Sequence, residues 1–145
     1  MKMSYDELLR QGRIRPQKVS PQEVQQLLQV AARDLETAAT LVPENLDWAF
    51  NIVYNAMLQA ARALMLHEGY RSRGQGQHMT TVRFCEIALG SAYKRELSLL
   101  DQMRRKRHRL VYERVGLVSR QEVEQALDFA RGFVVQIREV IASPH

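Results

Sequence analysis

From Val24 onward, apolar residues recur at alternating steps of four and three: Val24, Leu28, Ala31, Leu35, Ala38 and Val42, with Gln25, Gln29, Arg33 and Glu36 off that line. This spacing lays one apolar stripe along a helix. Ser20-Pro21-Gln22-Glu23 reads as a capping box with proline at the first helical position, and Pro43 ends the helix. The same period returns near the C-terminus in Val123, Leu127, Ala130, Val134, Ile137 and Ile141. It follows a turn at Gly116-Leu117-Val118 and a second capping box, Ser119-Arg120-Gln121-Glu122.

Between these two helices the pattern changes. From about Leu46 to Glu68, Trp48, Phe50, Ile52, Val53, Tyr54, Met57, Leu58, Leu64 and Met65 cover most of a helical circumference, and Gly69 ends the run. A helix apolar nearly all round belongs at the centre of a fold. Its polar residues Asn51, Asn55, Gln59 and Arg62 share one face, which is a solvated stripe, an interior polar seam or a dimer face. Tyr70 to Gln77 reads as the main loop, Met79 to Leu89 as a short helix ended by Gly90, and Ala92 to Glu113 as a further helix with Tyr93, Leu97, Leu100, Met103 and Val111 inward. No stretch has the alternation of a strand. Residues 1–19 form a basic arm in which Ser4 caps a brief helix through Leu9, interrupted by Gly12 and Pro16. The expected fold is all-α: an antiparallel up-and-down bundle of four main helices plus a short fifth, as a single domain over residues 20–145.

A chain of 145 residues suits one hydrophobic core. Cys85 is the only cysteine, so no intrachain disulfide or cysteine metal cage forms, and a reducing, cytoplasmic setting is expected. The apolar stretch Leu46 to Leu66 is broken by Asp47, Asn51, Asn55, Gln59 and Arg62 and makes a poor membrane span, and Met1 to Glu7 lacks the apolar core of a secretory leader.

Charge changes the picture more. The chain has 21 Lys+Arg and 16 Asp+Glu, a net charge of +5. Five of those cations sit in one run, Arg104-Arg105-Lys106-Arg107-His108-Arg109; without them the two signs balance at 16 each. The run lies inside a helical pattern, so it presents a shaped basic surface suited to phosphate. Arg105, Lys106 and Arg109 are expected to face solvent. Position 107 falls on the inner stripe between Met103 and Val111, while Arg104, His108 and Tyr112 follow one flank at steps of four. A cation where a core residue is expected should line a groove, pair with a carboxylate or meet a second subunit. Arg104, Arg105, Lys106 and Arg109 are the candidate nucleic-acid contacts. Asn51, Asn55, Gln59 and Arg62 are the candidate interface or groove.

Elsewhere the structural readings prevail. His67 suits a helix C-terminus. His78 begins the short helix with no carboxylate or second histidine at metal spacing. Cys85, between Phe84 and Ile87, reads as packing. No metal and no cofactor is expected.

Three segments carry a resemblance: the central helix from Trp48 to Leu64, the loop and short helix from Gly69 to Leu89, and Leu100 to Glu113. Over roughly residues 20–142 the chain resembles the HEPN superfamily of small helical domains. The resemblance implies a five-helix bundle that dimerises. It also implies binding of RNA or a nucleotide, or metal-independent ribonuclease activity of the toxin–antitoxin or defence type, in some members beside a small nucleotidyltransferase. The family signature is an Arg followed by Asn, Asp or His, then a His four to six intervening residues after the Arg. Arg107-His108 matches the first half. In the second half stands Tyr112, with Glu113 and Arg114 in the other permitted places. Metal-independent RNA cleavage needs a base for the 2′-hydroxyl and an acid for the leaving oxygen, and imidazole suits both. A tyrosine with a pKa of about 10 is a poor base. The implied catalytic set is Arg107, His108 and Tyr112, with Arg107 stabilising the phosphorane charge. The leading reading is an RNA- or nucleotide-binding dimer with weak or lost catalysis. The alternatives are a ribonuclease, and a structural helical adaptor whose basic patch docks an acidic protein.

Overall fold

The computed structural model describes residues 5–112 and 118–143, and of Val111 and Tyr112 the backbone only. Along the chain run α1 (Asp6–Arg10), β1 (Ile14–Pro16), α2 (Pro21–Leu41), α3 (Leu46–His67), β2 (Tyr70–Ser72), α4 (Gln77–Leu89), a 3₁₀ turn (Gly90–Tyr93), α5 (Lys94–Tyr112) and α6 (Arg120–Ala142). The fold is the expected helical bundle.

The central helix is central in space. α3 packs against α2, α4, α5 and α6. Its Ala49, Ala56, Ala60, Ala61 and Ala63 are fully buried, so neighbouring helices approach its backbone closely, while Phe50, Tyr54, Met57, Leu58 and Leu64 fill the spaces between them. The stripe of α2 from Val24 to Val42 is buried throughout, as is that of α6 from Val123 to Ile137, with Ile141 half-buried. Capping follows the sequence with one difference. Ser119 and Glu122 form the full reciprocal box on α6, whereas Ser20 accepts from the Glu23 amide and the Glu23 carboxylate turns away to Arg71 at 2.9 Å. Asn45 Oδ1 caps α3 through the Trp48 amide at 3.0 Å.

Two expectations are corrected. A two-stranded sheet exists: β1 pairs antiparallel with β2, Ile14 opposite Ser72 and Pro16 opposite Tyr70. Each strand has three residues, too few to show a two-residue period, and Pro16 is tolerated because the ribbon is all edge. The arm therefore folds back on the body. Leu8 and Ile14 join Met65, Phe84 and Ile87 in a small second core, and Tyr5 stacks on Phe84 at a centroid distance of 4.4 Å. The second correction is Trp48, which is 56% exposed at the start of α3. Among the described residues, no helix is long and apolar enough to cross a membrane.

Candidate phosphate-binding groove

The polar stripe of α3 faces outward between α2 and α5. Trp48, Asn51, Ile52, Asn55, Gln59 and Arg62 lie within about 60° of one direction at about 100° per residue. Asn55 Nδ2 donates to Asp34 of α2 at 3.3 Å, and Gln59 Nε2 donates to Asn55 Oδ1 at 3.4 Å. Asn51 Oδ1 accepts from Arg107 Nε of α5 at 3.0 Å. Of the four polar residues expected as interface or groove, Asn55 is exposed and Asn51, Gln59 and Arg62 are half-buried, and Asn51 and Asn55 tie α3 to α5 and α2.

Arg107 is half-buried, as its place on the inner stripe requires. Its neutral amide partner leaves the guanidinium charge uncancelled, and among the described residues it forms no ion pair. The other members of the run separate by position. Asp101, 6% exposed and absent from the expected set, accepts from Arg104 Nε at 3.0 Å and from Arg105 Nη2 at 2.6 Å. Burial pushes the Asp101 carboxyl up, but the hydrogen bonds from Arg105 and Arg104 outweigh it and hold the group below its ordinary range. Arg104 is anchored toward the groove at 20% side-chain exposure, and Arg105 points out at 66%. Lys106 departs from the expected solvent-facing cation. It is 22% exposed and bound to Glu122 of α6, whose carboxyl it holds below the usual range. Arg109 and His108 are exposed. The Tyr112 side chain, with Glu113 and Arg114, lies outside the described residues.

The structure brings to the groove a pair that spacing does not reveal. Tyr54 of α3 is 1% exposed, and its hydroxyl lies 3.2 Å from Nδ1 of His78 in the first turn of α4. A buried tyrosine needs a hydroxyl partner, which is the signal in the sequence, although not the identity of the partner. Burial drives the Tyr54 hydroxyl up to about 12, with the nearby cations Arg104, Arg107 and Arg62 working against that rise. Burial also lowers His78, and Arg62, Arg107 and Arg104 lower it further. The charges of three guanidiniums from two helices therefore bear on one tyrosine–imidazole pair.

Local sequence explains why His78 stands there. Gly74 and Gly76 both take positive φ, 75° and 68°, a backbone state most side chains resist, and this turns the loop sharply into α4. The arm then pins that loop. Arg73 N donates to the Arg13 carbonyl at 2.9 Å, and Arg13 Nε donates to the buried Thr80 hydroxyl at 3.2 Å. A pocket of about 410 Å³ opens beside Arg62, lined also by Gln59, Glu23, Arg71 and Gln77. A larger pocket of about 760 Å³ lies under the arm against α4 and α5. It mixes Glu7 and Glu86 with Arg13, Arg83 and Lys94.

Cys85 is fully buried, with its thiol facing the Ala61 carbonyl at 3.8 Å and pushed up to about 12 by burial, so it packs and does not react. Among the described residues no cluster of His, Cys, Asp or Glu is suited to hold a metal ion.

No curated protein matches the chain. The HEPN domain family matches residues 24–140, from the first turn of α2 nearly to the end of α6, a span that contains Asn51, Tyr54, Arg62, His78, Arg104 and Arg107. The chain belongs to the HEPN family, an all-helical family of RNA-binding and ribonuclease modules.

Proposed function

We propose that the chain is a homodimeric RNA-binding module that grips the phosphate backbone in the α3–α5 groove and has weak or lost cleavage activity. One observation carries the reading: Arg107 is fixed by Asn51 at the groove, and its charge, with those of Arg62 and Arg104, bears on the Tyr54–His78 pair. Fixed guanidiniums suit phosphate oxygens, and their low exposure means that little ordering remains for the moment of binding. Arg105 and Arg109 on the outer face of α5 extend the positive field along the strand. Tyr112, at the place of the second-half histidine, supports loss of the family's ribonuclease chemistry. The exposed α3 face, with Trp48 at one end, supports a two-fold contact that would set two grooves side by side. The family also supports a small nucleotidyltransferase as partner.

A second reading, metal-independent cleavage, is favoured by His78, an imidazole held near Arg107 by a different element from the one that carries the family's second histidine. Both readings are tested by incubating the protein with fluorescein-labelled RNA in EDTA, following anisotropy and strand length together. The expected result is salt-sensitive binding with intact RNA. Cleavage that Arg107→Ala abolishes would favour the second reading. No binding at low salt would overturn both and return the adaptor for an acidic protein.

A further inference from the structure

Between α2, α3 and β2 lies the cavity of about 410 Å³ that Glu23, Arg62 and Arg71 line together. Its size falls within the range of about 300–1,000 Å³ typical of small-molecule sites. We propose that this cavity takes one guanine of the bound RNA, with the Arg71–Glu23 pair reading the base and Arg62 holding its phosphate. The proposal rests on the RNA-binding reading for the natural source of the guanine, but the cavity and the chemistry of its walls stand apart from that reading.

The hydrogen bonds already made in the walls show what is left for a ligand. Glu23 Oε1 accepts from Arg71 Nη2 at 2.9 Å, and Arg71 Nε donates to Gln17 Oε1 at 3.3 Å. Arg71 is thereby held from two sides. A guanidinium has five N–H donors, so Arg71 keeps several, and the second oxygen of Glu23 keeps its lone pairs. A donor and an acceptor therefore stand side by side at the cavity. Gln59 Nε2 donates to Asn55 Oδ1 at 3.4 Å, which leaves Gln59 Oε1 as a further acceptor. Gln77 is occupied within its own loop, donating to the Gly74 carbonyl at 3.1 Å and accepting from Ser72 Oγ at 3.4 Å. Arg62 is half-buried and, among the described residues, forms no ion pair. Leu27 and Met65 give the cavity apolar walls.

Guanine fits this set better than the other bases. Its Watson–Crick edge carries the O6 acceptor, then the ring N–H, then the 2-amino group, and unstacked RNA bases are read on that edge. Arg71 donates to O6, and Glu23 and Gln59 accept from the two donors beside it. Uracil has a single donor between two carbonyls, so one carbonyl would oppose an acceptor. Adenine and cytosine each bring one amino group and leave a second acceptor of the wall unpaired. A site built to receive two N–H donors discriminates strongly against a ligand that lacks one of them. Arg62 supplies the remaining element, a cation for the phosphate of the same nucleotide. It ends the polar line of Asn51, Asn55 and Gln59 along α3, so a strand lying in the groove reaches the cavity at Arg62.

The test compares short labelled single-stranded RNAs, all uracil except for one central A, C, G, U or inosine, by anisotropy with the whole chain. The guanine strand should bind roughly tenfold more tightly than the A, C and U strands. Inosine lacks the 2-amino group and should lose several-fold against guanine, a comparison that leaves the protein untouched. Glu23→Gln, with unchanged melting, should bring the guanine strand to within about twofold of the others. Arg62→Gln should weaken all the strands together and lower the salt slope by about 0.7, with the guanine preference kept. Equal affinity for all strands, inosine as tight as guanine, or a guanine preference that survives Glu23→Gln would each overturn the proposal, while binding itself would leave the RNA-binding reading standing. Guanosine monophosphate separates the sources, followed through the methyl signal of Met65 by NMR and assigned by its loss in Met65→Leu. If guanosine monophosphate moves that signal, adenosine monophosphate does not, and no RNA binds, the cavity stands for a free nucleotide and the RNA-binding reading fails. If neither RNA nor guanosine monophosphate binds, both fail.

Discussion

Asn51 gives the Arg107 guanidinium its direction through one bond of 3.0 Å. Asn51→Ala leaves the cation in the groove but frees it to turn, removing one hydrogen bond to a charged group, an effect of about 1–2 kcal/mol. RNA affinity should fall roughly tenfold with no change in salt dependence, measured by anisotropy, since the same number of charges still meets phosphate. His78 leaves a mark on stability too. Its folded pKa lies below its unfolded value, so the unfolded chain takes the proton first. Its contribution is whole above about pH 6.5 and is lost as pH falls from there through the folded value. Thermal unfolding without added anion should therefore show a loss of stability below about pH 6.5 that His78→Gln reduces. The sequence shows such residues unevenly. Arg107 was legible because a cation interrupts a helical stripe, a local irregularity. The Tyr54–His78 pair joins positions 24 apart through a glycine-shaped turn, and Lys106 reaches Glu122 across 16 positions, so neither leaves a trace in spacing.

At the scale of elements, patterning does most of the work. The stripes of α2 and α6 emerge buried where the period placed them, because a two-turn repeat averages over many side chains. The ribbon of β1 and β2 was hidden because three residues carry no period, and its partners lie more than 50 positions apart. Trp48 misled for the opposite reason: it continues the apolar character of α3 but sits in the first turn, beyond the reach of the neighbouring helices. The two capping sequences look alike, yet only one closes. Ser119→Ala removes one half of a reciprocal pair, while Ser20→Ala removes a single bond whose Glu23 is already occupied by Arg71. Ser119→Ala should cost about 1–2 kcal/mol and Ser20→Ala about 0.5–1 kcal/mol in denaturant melts. Equal losses would mean that the box adds nothing beyond its first bond.

For the whole molecule, the distribution of charge matters more than its total. The cluster that equals the net charge divides into an outer face, one lysine tied to α6, and a set turned to the groove. The exposed face of α3 carries the chain's single tryptophan, which makes assembly visible. If two copies meet there, Trp48 emission should shift to shorter wavelength as concentration rises through the dimerisation range, in step with the mass from light scattering. A dimer with unchanged Trp48 emission would place the contact on another face.

The central claim is that phosphate is held in the groove and not on the outer side of α5. The most direct test is the slope of log Kd against log salt for a single-stranded RNA. Wild type, Arg62→Gln/Arg107→Gln and Arg105→Gln/Arg109→Gln are compared, each with unchanged melting behaviour. Each phosphate neutralised contributes about 0.7 to that slope for single strands. The account predicts that the groove pair loses about 1.4 of slope and the outer pair less than half as much. A full loss in the outer pair with the groove pair unaffected would contradict it.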